Sequence, residues 1–203
     1  MKNIIIVAGA RPNFIKIAPI IHEISKVENI KKINFRLVHT GQHYDSNMSK
    51  VFFDELEIPI PNYNLNVGSG SHGEQTGKML QKIEQVLLEE KPDCVLVYGD
   101  TNSTLAGALA AAKLNIPIAH IEAGLRSFNK SMPEEINRIL TDRVSDLLFC
   151  PTKTAIKNLK LEGYKNFDKK VILSGDVMYD SVLFYSEKAC SYSTILDDLN
   201  LDP

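Results

Sequence analysis

Apolar residues follow two rhythms along this chain. Short unbroken runs at residues 3–8, 34–39, 94–98, 116–121, 147–150 and 171–173 have the length and bounding turn residues of buried strands. Between them the spacing changes to that of helices. Phe14, Ile17, Ile20, Ile21 and Ile24 mark one helical face, and residues 46–56 a second helix that stops before Pro59 and Pro61. Met79, Leu80, Ile83, Val86 and Leu87 mark a third, with Pro92 beyond its end. Alanine-rich residues 104–113, then 134–145, 153–162 with Gly163 as stop, and 177–190 complete the helices. Residues 59–73 show neither rhythm and are predicted to form an irregular loop.

Strand and helix alternate throughout, which predicts a parallel sheet with right-handed crossovers and helices on both faces. The fold class is therefore α/β, a Rossmann-like domain over residues 1–176. The helix at 177–190 is expected to leave that domain. Residues 194–203 are short and acidic, unable to build a core of their own, and mark the start of a second domain absent from this chain.

In such sheets ligands bind at the carboxyl ends of the strands. Five of those exits carry glycine beside ionisable or amide groups: Gly9-Ala10-Arg11, Gly41-Gln42-His43, Gly99-Asp100-Thr101, Glu122-Ala123-Gly124 and Gly175-Asp176. An acid thus stands at the end of each of two consecutive strands. Glu134, with Asn137 and Arg138 on the same helical face, follows the loop after Glu122 and adds a third carboxylate to the same cleft.

Composition narrows the chemistry. With 203 residues, 44% of them hydrophobic, the chain has ample material for a core. Its 23 basic and 25 acidic side chains give a net charge of −2, so nucleic acid is not an expected partner. No apolar run approaches membrane-spanning length, and residues 1–8 are too short for a signal peptide. Cys94, Cys150 and Cys190 are odd in number and widely spaced, which supports neither disulfides nor a zinc cluster and points to a reduced, cytoplasmic setting. No metal-ligand motif or cofactor fingerprint occurs: Gly9-Ala10-Arg11-Pro12-Asn13 lacks the later glycines of a dinucleotide loop.

Each candidate also has a plain structural reading. Asp100 suits a helix N-cap, and Glu134 and Glu135 suit the first turn of a helix after Pro133. Glu122 needs a partner, for which Arg126 and His120 are the nearest candidates. Arg11 and Lys16 either hold a diphosphate with the help of a helix amino terminus or cover a solvated helix face. His43, His72 and His120 are each isolated and suit hydrogen-bonded structural roles.

Taken in series, Gly9-Ala10-Arg11-Pro12, Thr40-Gly41-Gln42-His43, Gly99-Asp100-Thr101, the segment His120-Ile121-Glu122-Ala123-Gly124-Leu125-Arg126, and Pro133-Glu134-Glu135-Ile136-Asn137-Arg138 resemble the non-hydrolysing UDP-N-acetylglucosamine 2-epimerases over nearly the whole chain. The resemblance implies the amino-terminal half of a two-domain, glycosyltransferase-B-like enzyme, homodimeric, with a UDP-sugar in the interdomain cleft. It implies inversion at C2 by elimination and re-addition of UDP, with Asp100, Glu122 and Glu134 as the catalytic acids. Arg11, Lys16, Gln42, His43, Thr101, Arg126, Asn137 and Arg138 fall at positions expected to bind substrate. Ala10, Asn13 and Arg126-Ser127-Phe128-Asn129 resemble the branch that acts on UDP-2,3-diacetamido-glucuronate, which stays open as a second substrate. A glycosyltransferase subunit and a nucleotide-sugar-binding module are the readings from other classes.

Overall fold

The structure, a computed structural model, describes residues 1–26, 28, 31–42 and 53–199 of the chain. Among these, seven parallel strands form one sheet: β1 (Lys2–Ala8), β2 (Ile33–His39), β3 (Tyr63–Asn64), β4 (Cys94–Tyr98), β5 (Ile118–Ile121), β6 (Leu147–Cys150) and β7 (Lys170–Leu173), in the order β3-β2-β1-β4-β5-β6-β7. The helices are α1 (Arg11–Ser25), α2 (His72–Glu90), α3 (Asn102–Lys113), α4 (Pro133–Val144), α5 (Lys153–Leu161), α6 (Val177–Tyr192) and the short α7 (Ile195–Asp198). This is the expected Rossmann-like layout. The strand order reverses between β1 and β4, the place where such sheets open a crevice.

The apolar runs are continuous because both faces of the sheet are covered. Along β1 and β4, Ile5, Val7, Val95 and Val97 meet Met79, Ile83 and Leu87 of α2 and the alanines of α3. The alternate residues Ile6, Ala8, Leu96 and Tyr98 meet Phe14, Ile17 and Ile21 of α1. Full burial of each large side chain contributes roughly 1.5–3 kcal/mol. A smaller cluster of Leu148, Cys150, Leu159 and Tyr164 closes the β6 end.

Several expected boundaries shift. The strand predicted at 116–121 begins only at Ile118: Asn115 is left-handed (φ 56°) and Ile116 N–H still bonds to Ala111 O of α3, so the apolar run starts as helix cap. The predicted loop at 59–73 contains β3, paired to Val38 and His39, and the first residues of α2. Ser71 caps α2 by accepting from Glu74 N–H at 3.4 Å, so helix begins at His72, where Ser71-His72-Gly73-Glu74 spells a capping pattern. Most of the helix predicted at 46–56 lies outside the described residues; 53–55 form a helical turn.

The helix expected to leave the domain, α6, lies back across α1. Pro19 sits inside α1 and supplies no N–H to the Ile15 carbonyl one turn earlier. Ser181 of α6 donates to that carbonyl at 2.6 Å, and Tyr185 donates to Leu56 O at 2.7 Å. The helix-breaking residue thus becomes a docking point.

Candidate active site

Two tight turns deliver the first two acids to the carboxyl edge of the sheet. Gly99, directly after β4, has φ 64°, and Glu122, directly after β5, has φ 74°. The backbone favours glycine at 99, and a Cβ there would stand 3.0 Å from the ends of both the Glu122 and Lys16 side chains, which would have to give way. Glu122 occupies the left-handed region with a full side chain, at a cost on the order of 1–3 kcal/mol. Neighbouring strands hold it there. Glu122 N–H and Ala123 N–H both donate to Phe149 O, at 3.1 and 3.0 Å, and Gly99 N–H donates to Ile121 O at 3.0 Å.

Each of these acids faces a cation. The Lys16 ammonium donates to Glu122 Oε2, and the Arg138 guanidinium donates to Asp100 Oδ2. Side-chain exposure is 11% and 19% in the first pair and 15% and 29% in the second, so both pairs border solvent. Lys16 therefore turns to a carboxylate. The helix amino terminus expected to assist it with a diphosphate is largely filled: Gly9 and Ala10 N–H both donate to Asn13 Oδ1, at 3.3 and 3.2 Å, and Pro12 has no N–H. Arg11, the first residue of α1, has an exposed side chain at this edge.

Asp100 does not cap α3. That position belongs to Thr101, whose Oγ1 accepts from Thr104 N–H at 3.3 Å, which leaves the Asp100 carboxylate to Arg138. Asn137 fixes the same turn by donating to Asp100 O at 2.8 Å and Asn102 Oδ1 at 3.2 Å. Asn137 is buried, so its placement makes it a support for Asp100. Gln42 likewise faces inward, its Oε1 accepting from Ser103 N–H at 3.0 Å and Ser103 Oγ at 2.7 Å. His43 lies outside the described residues.

Glu134 and Glu135, adjacent in the first turn of α4, have opposite fates. Glu135 is buried and accepts from Ser127 N–H, Phe128 N–H and Arg138, at 2.9, 3.0 and 3.2 Å, tying the preceding loop to the helix. Burial works to raise its pKa, but the Ser127 and Phe128 donors and Arg138 outweigh burial and hold it below the usual carboxylate range. Glu134 is exposed, and its carboxylate makes no hydrogen bond or ion pair among the described residues. It lies one turn before Arg138 on the same face, and Arg138 reaches Asp100. Asp100 and Glu122 thus stand at neighbouring strand ends, and Glu134 lies one turn before the arginine that pairs with Asp100.

Arg126 is a correction. Its side chain is 1% exposed, with Nη1 donating to Asp142 Oδ2 at 2.7 Å and Nε and Nη2 forking onto Glu162 at 2.6 and 2.8 Å. Left-handed residues at 122 and 124 turn the chain away from the edge before position 126. For the same reason Arg126 is not the partner of Glu122, and neither is His120, which is fully buried. His120 contacts Asp142 Oδ1 through Nδ1 and Gly99 O through Nε2, both at 2.7 Å.

Sequence reasoning passed over Asn13, Asn102, Glu135 and Asp142 as positioning groups. Asn13 joins two turns: its Oδ1 accepts from Gly9 and Ala10 N–H, and its Nδ2 donates to Tyr98 O at 3.2 Å. Asp142 stands at helical spacing from Glu134 and Arg138, a pattern that marks it as inward-facing. Burial works to raise its pKa, yet His120 and Arg126 hold it below its ordinary value.

The comparisons fall on the same ground. The family described as UDP-N-acetylglucosamine 2-epimerase matches residues 25–202. A UDP-N-acetylglucosamine 2-epimerase homolog of Methanococcus maripaludis is 60% identical over 98% of this chain and 54% of its own length. The UDP-2,3-diacetamido-2,3-dideoxy-D-glucuronate 2-epimerase of Pseudomonas aeruginosa is 59% identical over 93% of this chain and 52% of its own. The crystal structure of Methanocaldococcus jannaschii UDP-GlcNAc 2-epimerase in complex with UDP-GlcNAc and UDP superposes with a TM-score of 0.90 at 52% identity, covering 98% of this chain and 53% of that one. The chain spans about half the length of the relatives it matches. Motif order, sheet topology and these matches agree: the chain belongs to the UDP-N-acetylglucosamine 2-epimerase family.

Proposed function

We propose that this chain supplies the acid–base half of an enzyme that inverts C2 of a UDP-linked N-acetylated sugar, converting UDP-N-acetylglucosamine to UDP-N-acetylmannosamine for surface polysaccharide precursors. The observation that supports this reading is the placing of Asp100 and Glu122 at neighbouring strand ends, each paired to one cation, with Glu134 exposed one turn before Arg138 on α4. In the forward step the C2 proton passes to a carboxylate as the C1–oxygen bond breaks. UDP leaves with the bonding electrons and a 2-acetamidoglucal remains. Re-addition of UDP at C1 with proton return on the other face of C2 gives the epimer.

Glu134, which no cation engages among the described residues, can take the proton from one face of C2 without breaking an ion pair, and a second of the three acids delivers a solvent-exchanged proton to the opposite face. Asp100 and Glu122 place negative charge beside C1, where positive charge grows as the bond stretches. Arg11 and the freed ammonium of Lys16 suit the departing diphosphate. Incubation of the full-length protein with UDP-N-acetylglucosamine in deuterated water tests the scheme. Deuterium at C2 of both epimers is expected; transfer of the sugar to an acceptor with C2 unlabelled would refute it and favour a transferase.

The 59% identity to the Pseudomonas enzyme favours UDP-2,3-diacetamido-2,3-dideoxyglucuronate as a second substrate. A ratio of kcat/KM for the two sugars decides between them. The same reading includes a homodimer in the cytoplasm, supported by the exposed Ile136 and Leu140 on α4 and checked by light scattering.

A further inference from the structure

Asp142 is linked, directly or through one side chain, to every segment that carries an acid. Its Oδ1 meets His120 Nδ1 at 2.7 Å, and His120 Nε2 meets the carbonyl of Gly99, the residue before Asp100, at 2.7 Å. Its Oδ2 accepts from Gly124 N–H at 3.0 Å, two residues after Glu122, and from Arg126 at 2.7 Å. Asp142 itself stands two turns along α4 from Glu134. A carbonyl and a carboxylate only accept hydrogen bonds, so whichever His120 ring nitrogen carries a proton donates it to one of these two partners. Asp142 and His120 are both completely buried, and neither is exposed to substrate.

We infer that Asp142 is a positioning residue that sets the Asp100, Glu122 and Glu134 segments in register with one another, acting on the first through His120 and on the second through Gly124. A side chain serving only the stability of α4 would have no need to bond both turns. Gly124 adds to the precision of the arrangement: at φ 80° a Cβ there would stand 2.6 Å from Ala155 O, so this backbone has one place to go. The inference rests on the proposed epimerisation for its kinetic consequence, but not for its geometric one.

The test uses Asp142→Asn, His120→Gln and His120→Leu in the full-length protein. For Asp142→Asn, kcat for deuterium exchange at C2, per folded molecule, is expected to fall about 100-fold with KM within about threefold of wild type. His120→Gln keeps a donor for Gly99 O and is expected to turn over about tenfold faster than His120→Leu. In nitrogen-15 spectra of Asp142→Asn, amide signals of Gly99, Asp100, Ala123 and Gly124 should shift together. An unchanged kcat, or equal rates for Gln and Leu at position 120, overturns the inference. If Asp142→Asn does not fold, the two His120 variants decide. If wild type itself exchanges nothing, the epimerase reading fails, and the amide signals judge the positioning role: movement of both turns sustains it, and movement of one or neither overturns it.

Discussion

Two sets of four ionisable side chains meet at α4, one through Asp142 and one through Arg138 a turn earlier. In the first, Asp142 and His120 are completely buried and the Arg126 side chain is 1% exposed, with Glu162 completing the set at the surface. At the sheet edge Lys16, Glu122, Asp100 and Arg138 retain between 11% and 29% exposure. In the first set Asp142 receives hydrogen bonds on both oxygens and Arg126 is forked. In the second each carboxylate gives one oxygen to one cation. Saturated, dry charges fix a fold; unsaturated charges at a strand edge leave room for a ligand to complete them.

The contrast is sharpest in which property each substitution damages. Glu134→Gln is expected to lower kcat by about 10²–10⁴ with little effect on stability, since among the described residues its carboxylate has no hydrogen bond or ion pair. Steady-state kinetics and thermal unfolding on the same sample check both halves. Arg126→Met should do the reverse by breaking a buried pair, with a stability loss of about 3–5 kcal/mol in urea unfolding. A large activity loss in Arg126→Met without unfolding would erase the distinction between the two sets.

Gly99→Ala lies between them. The left-handed backbone alone costs about 1–2 kcal/mol, and the new Cβ crowds both Glu122 and Lys16, so stability and turnover should fall together. Lys16→Met is the milder case. Lys16 is buried, so its loss leaves the Glu122 carboxylate unpaired; stability should fall, by less than in Arg126→Met, with the larger effect on turnover.

The smallest effect is a change of slope with pH. Asp142 and Glu135 both titrate below their ordinary values in the folded chain, burial being outweighed by their donors. A lowered folded pKa means that each contributes stability fully present above the unfolded value, about 3.9 for Asp and 4.3 for Glu, and lost as pH falls through the folded value. Wild type should therefore weaken on acidification below about pH 4. Glu135→Gln should start less stable at neutral pH and lose stability less steeply in acid, as urea midpoints across a pH series will show.

The sheet was legible because doubly covered strands must be apolar on both faces, as along β1 and β4. Where that rule lapses, reading failed. β3 is two residues at an edge, Tyr63 and Asn64, too short and polar to announce itself. Ile116 joined an apolar run yet is held by α3. The acids were legible because strand ends are fixed by the runs before them. Their partners were not: Lys16 and Glu122 are 106 residues apart, and only folding brings them together. Arg126 shows the opposite hazard, a charged residue four positions from Glu122 that two left-handed turns send elsewhere.

A crystal structure of the full-length protein with UDP-N-acetylglucosamine bound tests the central claim most directly. One hexose ring is expected with the carboxylates of Asp100, Glu122 and Glu134 around it and Arg126 still locked on Asp142 and Glu162. A sugar seated away from any two of those three acids would contradict it.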